Sequence, residues 1–369
     1  MNLSHLRRYA IARTLFPPTD LDAALDSIGF IQIDPIIAPA WAQDLILRHR
    51  VTDYRRGDMD RAYPSLASEE VFFVNHGYLP RTLAQSWWHQ RPITERMVTH
   101  AAMTHKILGY IKTHAPNEGA HPKTINAYIG NEKVTNYWNG TSHAGTHLLQ
   151  HLHAQGILRI VRREKGIRIY GLPHPPTPQP SLERIVEQAF DTLLQTYAPI
   201  PKQSMAYLAR LLANSRPDLK IQIQHALRHL EERYAHTTIE GERWYWPAHE
   251  HPEQLMRSDE DKVYLLAPFD PLVWDRTRFT RFWGWEYKFE AYKPAHARKL
   301  GYYALPLLWR DMCIGWANLS VIDAQLHAHI GYIDKKPREK AHRIALEQEL
   351  AQCAAFLGCT TWHIHPHTT

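Results

Sequence analysis

A short extended segment of the sequence carries an amide and a carboxylate that could activate a water molecule. The segment reads FIQID and covers residues 30–34. Side chains alternate along an extended backbone, so Gln32 and Asp34 project to one side, about 7 Å apart. Ile31 and Ile33 are then expected to point into the core. The pattern also fits any half-exposed strand, and Asp before proline often starts a turn, so the pattern alone leaves these interpretations open.

The residues around this segment are predicted to be helical. Ser4–Arg13 and Asp20–Ser27 are amphipathic, and the second of these begins at a suitable capping aspartate. Gly29 is expected to end that helix just before the extended segment, and a further apolar helix is predicted over Trp41–His49. Region 1–100 is therefore predicted to be a mostly helical, winged-helix unit that holds the two polar side chains on a short strand.

A second region, 101–175, has the element order of a winged helix. Helices are predicted over Lys123–Ile129 and Ser142–Gln155, and two strands follow around a Lys165-Gly166 turn. The basic residues of this hairpin are Arg159, Arg162, Arg163, Lys165 and Arg168. They could contact DNA phosphates as a wing, although a solvated charged hairpin has the same pattern.

The same order of elements returns in region 181–248. Helices are predicted over Leu182–Tyr197, Lys202–Ala213 and Asp218–Tyr234, and a hairpin turns at Glu240-Gly241. Two such units about 80 residues apart suggest a tandem repeat of one fold, with generic helical packing as the alternative.

The last region, 260–369, is rich in aromatic and β-branched runs, which predict a small antiparallel barrel or sandwich. A helix over Lys336–Phe356 and a final strand complete it. Asp270 and Arg276 are expected to form a structural salt bridge. The predicted fold class is therefore α+β, with tandem winged-helix (helix-turn-helix) units followed by a C-terminal small β-barrel domain.

Histidines are unusually frequent, at 25 of 369 residues. His143, His147 and His151 are four residues apart and fall on one face of a predicted helix, a spacing that also permits adventitious metal binding. No acid or cysteine lies beside them, so a neutral or DNA-facing surface is preferred and no metal site is predicted. The final strand alternates exposed histidines with Trp362 and Ile364, which are expected to point inward.

The bulk composition predicts a folded, soluble protein with several compact units. The 369 residues are 44% hydrophobic and 22% charged, a profile typical of globular proteins. No run approaches the roughly 18 apolar residues of a membrane span, so a cytoplasmic protein without a membrane partner is expected. Three cysteines without CxxC spacing argue against a disulfide framework. A net charge of +6 suits a polyanionic partner.

Three segments of the sequence share the pattern of one enzyme family. Residues 21–36 read LDAALDSIGFIQIDPI, residues 134–158 read VTNYWNGTSHAGTHLLQHLHAQGIL, and residues 265–308 form a long run that begins LLAPFDPLVWDR. They resemble the catalytic segment, the second winged-helix unit and the C-terminal signature of the AlkZ/YcaQ family. These are winged-helix alkylpurine DNA glycosylases, some of which unhook interstrand crosslinks. Gln32-Ile33-Asp34 matches the Gln-hydrophobic-Asp branch of the family signature.

The sequence departs from this family at two places. The family usually has an Ala-His-Glu step ahead of Leu-Pro or Met-Pro, whereas residues 74–80 read VNHGYLP here. His76 therefore aligns, but the acid that should follow it is missing. The lysine usual near Gly145–His147 is also lost. These departures concern the range of substrates more than the type of reaction.

The resemblance implies a monomeric, monofunctional DNA glycosylase that acts on double-stranded DNA with alkylated or crosslinked purines, without a cofactor, metal or covalent lysine intermediate. A purine alkylated at N7 leaves as a neutral base, so the enzyme must stabilise an oxocarbenium-like sugar and deliver water to it. In this interpretation Asp34 is the general base, Gln32 holds the water or the sugar-phosphate, and His76 approaches the DNA.

Two other functions are compatible with the sequence. The first is a non-catalytic winged-helix DNA-binding regulator in which the Gln-Ile-Asp segment is vestigial. The second is a metal-dependent nuclease or other hydrolase that uses the histidines.

Overall fold

The computed structural model describes residues 1–89, 91–130, 133–135, 141–175, 180–255 and 261–366, which form a mixed α+β fold. The helices are α1 (Leu3–Thr14), α2 (Leu21–Ile28), α3 (Ala42–Leu47), α4 (Asp58–Ala62), α5 (Arg81–Trp88), α6 (Glu95–Thr99), α7 (Ala101–His114), α8 (Pro122–Ile129), α9 (Ala144–Ala154), α10 (Leu182–Tyr197), α11 (Lys202–Ser215), α12 (Lys220–Arg228), α13 (Leu230–Arg233), α14 (Arg276–Trp283) and α15 (Lys340–Leu357).

The strands are β1 (Ile31–Gln32), β2 (Ser68–Phe72), β3 (His76–Pro80), β4 (Lys133–Thr135), β5 (Thr141–His143), β6 (Arg159–Glu164), β7 (Ile167–Gly171), β8 (Ile200–Pro201), β9 (Ala235–Ile239), β10 (Glu242–Trp246), β11 (Val263–Leu265), β12 (Leu305–Trp309), β13 (Met312–Ile322), β14 (Gln325–Tyr332) and β15 (Thr361–Pro366). Internal packing divides the chain into two compact units, each discontinuous in sequence. Unit 1 contains Met1–Met59, Phe190–Arg210 and His225–Thr369, and unit 2 contains Asp60–Ala189 and Leu211–Gln224.

In unit 1, the local sequence fixes the corner between α2 and β1. The Asp20 carboxylate caps α2 by accepting a hydrogen bond from the Ala23 amide at 2.9 Å, as its position predicts. Gly29 ends the helix with a φ of 82°, a conformation that glycine adopts without strain. The Thr196 hydroxyl donates to the Ile28 carbonyl at 2.9 Å. The chain therefore enters β1 from a capped and anchored turn.

Unit 1 also contains a three-stranded antiparallel sheet in the order β8-β10-β9. Glu240 and Gly241 both have positive φ, 50° and 76°, as a two-residue hairpin turn of type I′ requires. The predicted hairpin is confirmed. The helix predicted over Asp218–Tyr234 is instead broken: a 3₁₀ turn covers Pro217–Leu219, and α12 and α13 follow it.

The C-terminal part of unit 1 is an open sheet and not the predicted closed barrel. Five strands lie in the order β11-β12-β13-β14-β15, and no pairing of β11 with β15 is seen among the described residues. The last strand pairs in parallel with β14, a connection that requires the crossover helix α15. Buried side chains of α15, including Leu346 and Leu350, form part of the core, and the helix contacts β11, β14 and β15. A helix therefore covers the sheet where a barrel would close on itself.

Two details of this region differ from the prediction. The aromatic runs over residues 266–273 and 287–295 form loops and turns and not strands. Ile364 was expected to point inward but is 41% exposed. Since β15 is an edge strand of the sheet, its side chains lie at the rim, and alternation alone does not bury them.

Unit 2 contains the helices and the basic hairpin predicted between residues 121 and 171. Helices α8 and α9 supply buried apolar side chains, among them Ile125, Leu149 and Leu152. Strands β6 and β7 pair around Lys165 and Gly166, whose φ values are 49° and 81°. A second antiparallel hairpin is formed by β2 and β3. The mixed α+β class is therefore observed, with the predicted helices and hairpin of this segment in place. The helix predicted over Ser142–Gln155 is shorter, because His143 belongs to β5 and α9 begins at Ala144.

Candidate active site

The two polar side chains of the FIQID segment are both buried. Gln32 is 8% exposed and Asp34 is 6% exposed, while Ile31 is 1% exposed and Ile33 is only partly buried. The prediction that both isoleucines point into the core is therefore wrong for Ile33. The backbone amide of Ile36 donates to Asp34 Oδ1 at 2.9 Å. Asp34 thus lies just beyond β1 and starts a turn, as an aspartate before proline often does. The half-exposed strand is not observed, because Gln32 and Asp34 are both buried.

Burial changes the acid–base character of Asp34. The loss of water around the carboxylate raises its pKa above the ordinary value of 3.8, and the hydrogen bond from Ile36 offsets this only in part. A carboxylate with a raised pKa holds a proton more strongly, so it is a better general base than an exposed aspartate.

Aromatic side chains from the C-terminal part of unit 1 lie in the electrostatic field of Asp34. Burial first, and then the negative charge of Asp34, raise the pKa of Tyr303 well above 10.0. Desolvation and the same charge raise the pKa of Tyr292. Tyr303 is 3% exposed, and its hydroxyl has no hydrogen-bond partner within the described part of the chain.

No local pattern in the sequence marks these two tyrosines as neighbours of Asp34. They lie more than 250 positions further along the chain, and the one available signal was that both fall in the segment 265–308 of the family signature.

A buried ion pair fixes the start of that segment within unit 1. The guanidinium of Arg50 donates to both carboxylate oxygens of Asp270, at 2.9 and 3.0 Å, and both side chains are fully buried. The predicted pair of Asp270 with Arg276 is therefore wrong. Arg276 instead donates to the carbonyl of Pro268 at 2.9 Å and lies over the ring of Tyr287 at 4.6 Å. The sequence could not identify Arg50, which lies 220 positions away.

In unit 2, His76 belongs to a charge cluster centred on the fully buried Glu70. A carboxylate oxygen of Glu70 lies 2.5 Å from His76 Nε2. Arg163 Nη2 and Arg168 Nε donate to the same oxygen at 2.7 and 2.6 Å. Residue 77 is glycine, so the acid that contacts His76 in this chain comes from the neighbouring strand β2.

The cluster determines which of its members is charged. Burial acts to raise the pKa of Glu70, but His76, Arg168 and Arg163 outweigh it, and the pKa lies well below 4.5. Burial lowers the pKa of His76 despite the opposing effect of Glu70. Glu70 is therefore ionised, and His76 is neutral near pH 7.

The other basic residues of the β6–β7 hairpin differ in whether an acidic side chain pairs with them. Arg159 lies 3.8 Å from the buried Glu69, and Arg162 pairs with Glu164 at 2.6 Å on the surface. Lys165 is exposed at the turn, and no described carboxylate lies within ion-pair distance of it. Of the five predicted phosphate ligands, Lys165 is thus the one that has no acidic ion-pair partner among the described residues.

Neither of two cavities elsewhere in unit 1 is lined by Gln32 or Asp34. One, of about 840 Å³, is lined by Arg13, Arg233 and Glu250, among others. The other, of about 610 Å³, is lined by Arg48, His49 and Glu349, among others. Among the described residues, no group of three or more histidine, cysteine, aspartate or glutamate side chains is arranged to hold a metal ion. Within the same residues, every helix is too short or too polar to cross a bilayer.

Known proteins resemble this chain in sequence and in fold. The model of the family described as DNA glycosylase AlkZ-like matches residues 25–356, a range that contains Gln32, Asp34 and the Glu70 cluster. The fold is similar to that of Streptomyces sahachiroi DNA glycosylase AlkZ, with a TM-score of 0.62 and 15% sequence identity. The match covers 99% of this chain and 100% of that chain. At this identity the structural likeness concerns the fold alone.

Proposed function

Because the chain belongs to the AlkZ-like DNA glycosylase family and is a DNA repair glycosylase, we propose that its substrates are N7-alkylated purines, including bulky and interstrand-crosslinked adducts. The observation that carries this proposal is the buried carboxylate of Asp34, whose pKa is raised by desolvation, two residues from the buried amide of Gln32. This is a rigid acid–amide pair of the type that can position and activate water.

The proposed reaction is hydrolysis of the bond between the base nitrogen and C1′ of the sugar. The bonding electrons leave with the base, which an N7-alkyl group has already made cationic, so the base departs neutral. The negative charge of Asp34 stabilises the oxocarbenium-like sugar. Asp34 then accepts a proton from a water molecule as its oxygen attacks C1′, and Gln32 holds that water by hydrogen bonds. The products are the free base and an abasic site.

We further propose that region 101–175 acts as a winged helix on DNA and that region 181–248 repeats this fold. The exposed Lys165 and the surface Arg162 are the side chains best placed to contact phosphates. Arg163 and Arg168 are held by Glu70 at 2.7 and 2.6 Å, so we assign them mainly to orienting the hairpin. Arg159 beside Glu69, and His76 within the Glu70 cluster, support the DNA-facing surface in the same way. The enzyme is expected to act as a monomer on double-stranded DNA.

The test is base release in EDTA from duplexes that carry N7-methylguanine or a nitrogen-mustard crosslink. We expect the native protein to release the base and leave abasic sites. Asp34→Asn should bind the same DNA but react about 10²- to 10⁴-fold more slowly. Asp22→Asn, an exposed aspartate on α2, is the matched control and should react as the native protein does.

Other outcomes would change the assignment. Full activity in Asp34→Asn would remove the proposed role of that carboxylate. Binding of duplex DNA without base release from either substrate would overturn the proposed lesion class and favour a DNA-binding regulator.

A further inference from the structure

The loop of residues 290–302, here named the Tyr292 loop, presents aromatic rings to solvent. Tyr292 is 78% exposed and Tyr302 is 44% exposed. Large aromatic rings are usually buried, because their hydration is unfavourable. A tyrosine as exposed as Tyr292, beside a proposed reaction centre, is therefore a candidate for contact with the substrate.

The Tyr292 loop is held in one conformation by a buried acid at its start. Glu290 is 3% exposed, and its carboxylate accepts hydrogen bonds from the amides of Lys299 and Leu300 and from Lys293 Nζ, each at 2.7 Å. Burial acts to raise the pKa of Glu290, but these hydrogen bonds outweigh it and the pKa is lowered. The carboxylate is therefore ionised and closes the loop.

The far end of the loop is also fixed. The side-chain amide of Asn318 donates to the carbonyl of Leu300 at 2.6 Å. Asn318 packs so closely on Gly301, which has a φ of 110°, that a Cβ atom there would lie 2.4 Å from the Asn318 amide oxygen. The exposed ring of Tyr292 is thus carried by a preorganised loop, which lowers the entropy cost of binding.

Ring contacts connect the Tyr292 loop to the surroundings of Asp34. The ring of Phe289 lies 6.0 Å from that of Tyr292 and 5.4 Å from that of Tyr303. Tyr303 and Tyr292 both lie in the electrostatic field of Asp34. A second exposed apolar side chain, Ile37 at 56%, follows Asp34 by three residues. The exposed ring therefore stands on the same part of unit 1 as the proposed general base.

The charge of the Tyr292 loop suits a nucleic acid. Apart from Glu290, which is buried and paired with Lys293 at 2.7 Å, the side chains of the loop that can carry a charge near neutral pH are all basic. They are Lys293, His296, Arg298 and Lys299. Arg298 also lies over the ring of Tyr302 at 4.9 Å. Aromatic rings interleaved with basic side chains are typical of surfaces that stack on bases and neutralise phosphates.

We propose that Tyr292 stacks on a nucleobase of the substrate DNA next to the damaged nucleotide, with the basic side chains of the Tyr292 loop other than Lys293 on the flanking phosphates. This inference rests on the proposed function and deepens it. The ring would fill the space left where the helix is opened at the lesion and so hold the sugar in reach of Asp34. Tyr292 is then a substrate-contacting residue, and Glu290 is a positioning residue that acts through the loop.

The experiment uses a duplex with 2-aminopurine beside a tetrahydrofuran abasic analogue, which the enzyme cannot hydrolyse. Fluorescence of 2-aminopurine is quenched when an aromatic ring stacks on it. We expect the native protein and Tyr292→Phe to quench it and Tyr292→Ala not to. We also expect Tyr292→Ala to bind this duplex about 5- to 150-fold more weakly, the range that stacking of one base corresponds to.

Tyr207→Ala is the matched control, because Tyr207 is 45% exposed on α11 and outside the loop. It should quench and bind as the native protein does. Base release from N7-methylguanine DNA is measured in parallel to separate this inference from the proposed function. If Tyr292→Ala quenches and binds like the native protein, or if the native protein does not quench, the stacking role is overturned. If Tyr292→Ala alone loses quenching while no protein releases base, stacking stands and the proposed lesion class fails.

Discussion

Glu70 and His76 are diagonal neighbours on the antiparallel strands β2 and β3, with 2.5 Å between the carboxylate oxygen and Nε2. The same carboxylate accepts hydrogen bonds from Arg163 on β6 and Arg168 on β7. A single buried acid therefore connects two hairpins of unit 2. It also compensates two of the basic charges that the sequence suggested for phosphate binding.

Removal of this acid should destabilise the protein. In Glu70→Gln the two arginines keep their charge but lose their partner. Loss of one member of a buried ion pair costs about 3–5 kcal/mol, and partial exposure of Arg168, at 27%, places the expected loss near the lower end. The measurement is the free energy of unfolding in urea. The control, Glu164→Gln, breaks a surface pair with Arg162 and should cost no more than about 1 kcal/mol.

The difference between native protein and Glu70→Gln should depend on pH. The pKa of Glu70 in the folded protein is below its ordinary value of 4.5, so the carboxylate stabilises the fold fully above that value. This contribution is lost as the pH falls through the lower pKa of the folded state. A difference in unfolding free energy that stays constant down to strongly acidic pH would contradict this assignment.

The raised pKa of Asp34 predicts how the rate of base release declines at acidic pH. The general base must be ionised, and burial moves its pKa above 3.8. Single-turnover base release from N7-methylguanine DNA should therefore decline, on acidification, at a pH above that of an ordinary aspartate. The residual rate of Asp34→Asn should not decline in this pH range. A profile that is flat in the native protein down to pH 4 would argue against Asp34 as the base.

The same burial predicts that Asp34 reduces stability at neutral pH. A carboxylate whose pKa is raised in the folded state favours folding only while it is protonated, and this contribution is lost as the pH rises through the folded pKa. Asp34→Asn removes the buried charge and can still accept the hydrogen bond from Ile36. At pH 7 we expect the variant to unfold at a higher urea concentration than the native protein. Near pH 3 the two proteins should unfold at the same urea concentration. A less stable variant at pH 7 would show that the carboxylate has a stabilising partner.

The hairpin arginines and Lys165 should respond differently to substitution. Lys165→Ala should weaken binding to undamaged duplex DNA and reduce the slope of log K against log salt by about 1, because one phosphate contact is lost. Its stability should not change. Arg163→Ala should instead lower the free energy of unfolding. Lys335→Ala, an exposed lysine in unit 1, is the control for charge, and equal effects of Lys335 and Lys165 on the salt slope would remove the wing assignment.

Features that depend on neighbouring residues could be predicted from the amino-acid sequence. The cap at Asp20, the helix stop at Gly29 and the hairpin turns at Lys165-Gly166 and Glu240-Gly241 all follow from local backbone preferences. The Gln32-Ile33-Asp34 pattern and the segment of residues 265–308 also indicate the family without knowledge of the fold.

Contacts between groups that are distant in sequence could not be predicted and follow from the packing of the fold. Arg50, and not Arg276, is the partner of Asp270, and Glu70 takes up Arg163 and Arg168. The sheet stays open because α15 crosses over it. Such pairings depend on how elements that are far apart in sequence pack together. A buried charged group pairs with the group that this packing brings within hydrogen-bonding distance. Periodicity along the chain carries no information about that choice, because it records only which face of each element is apolar.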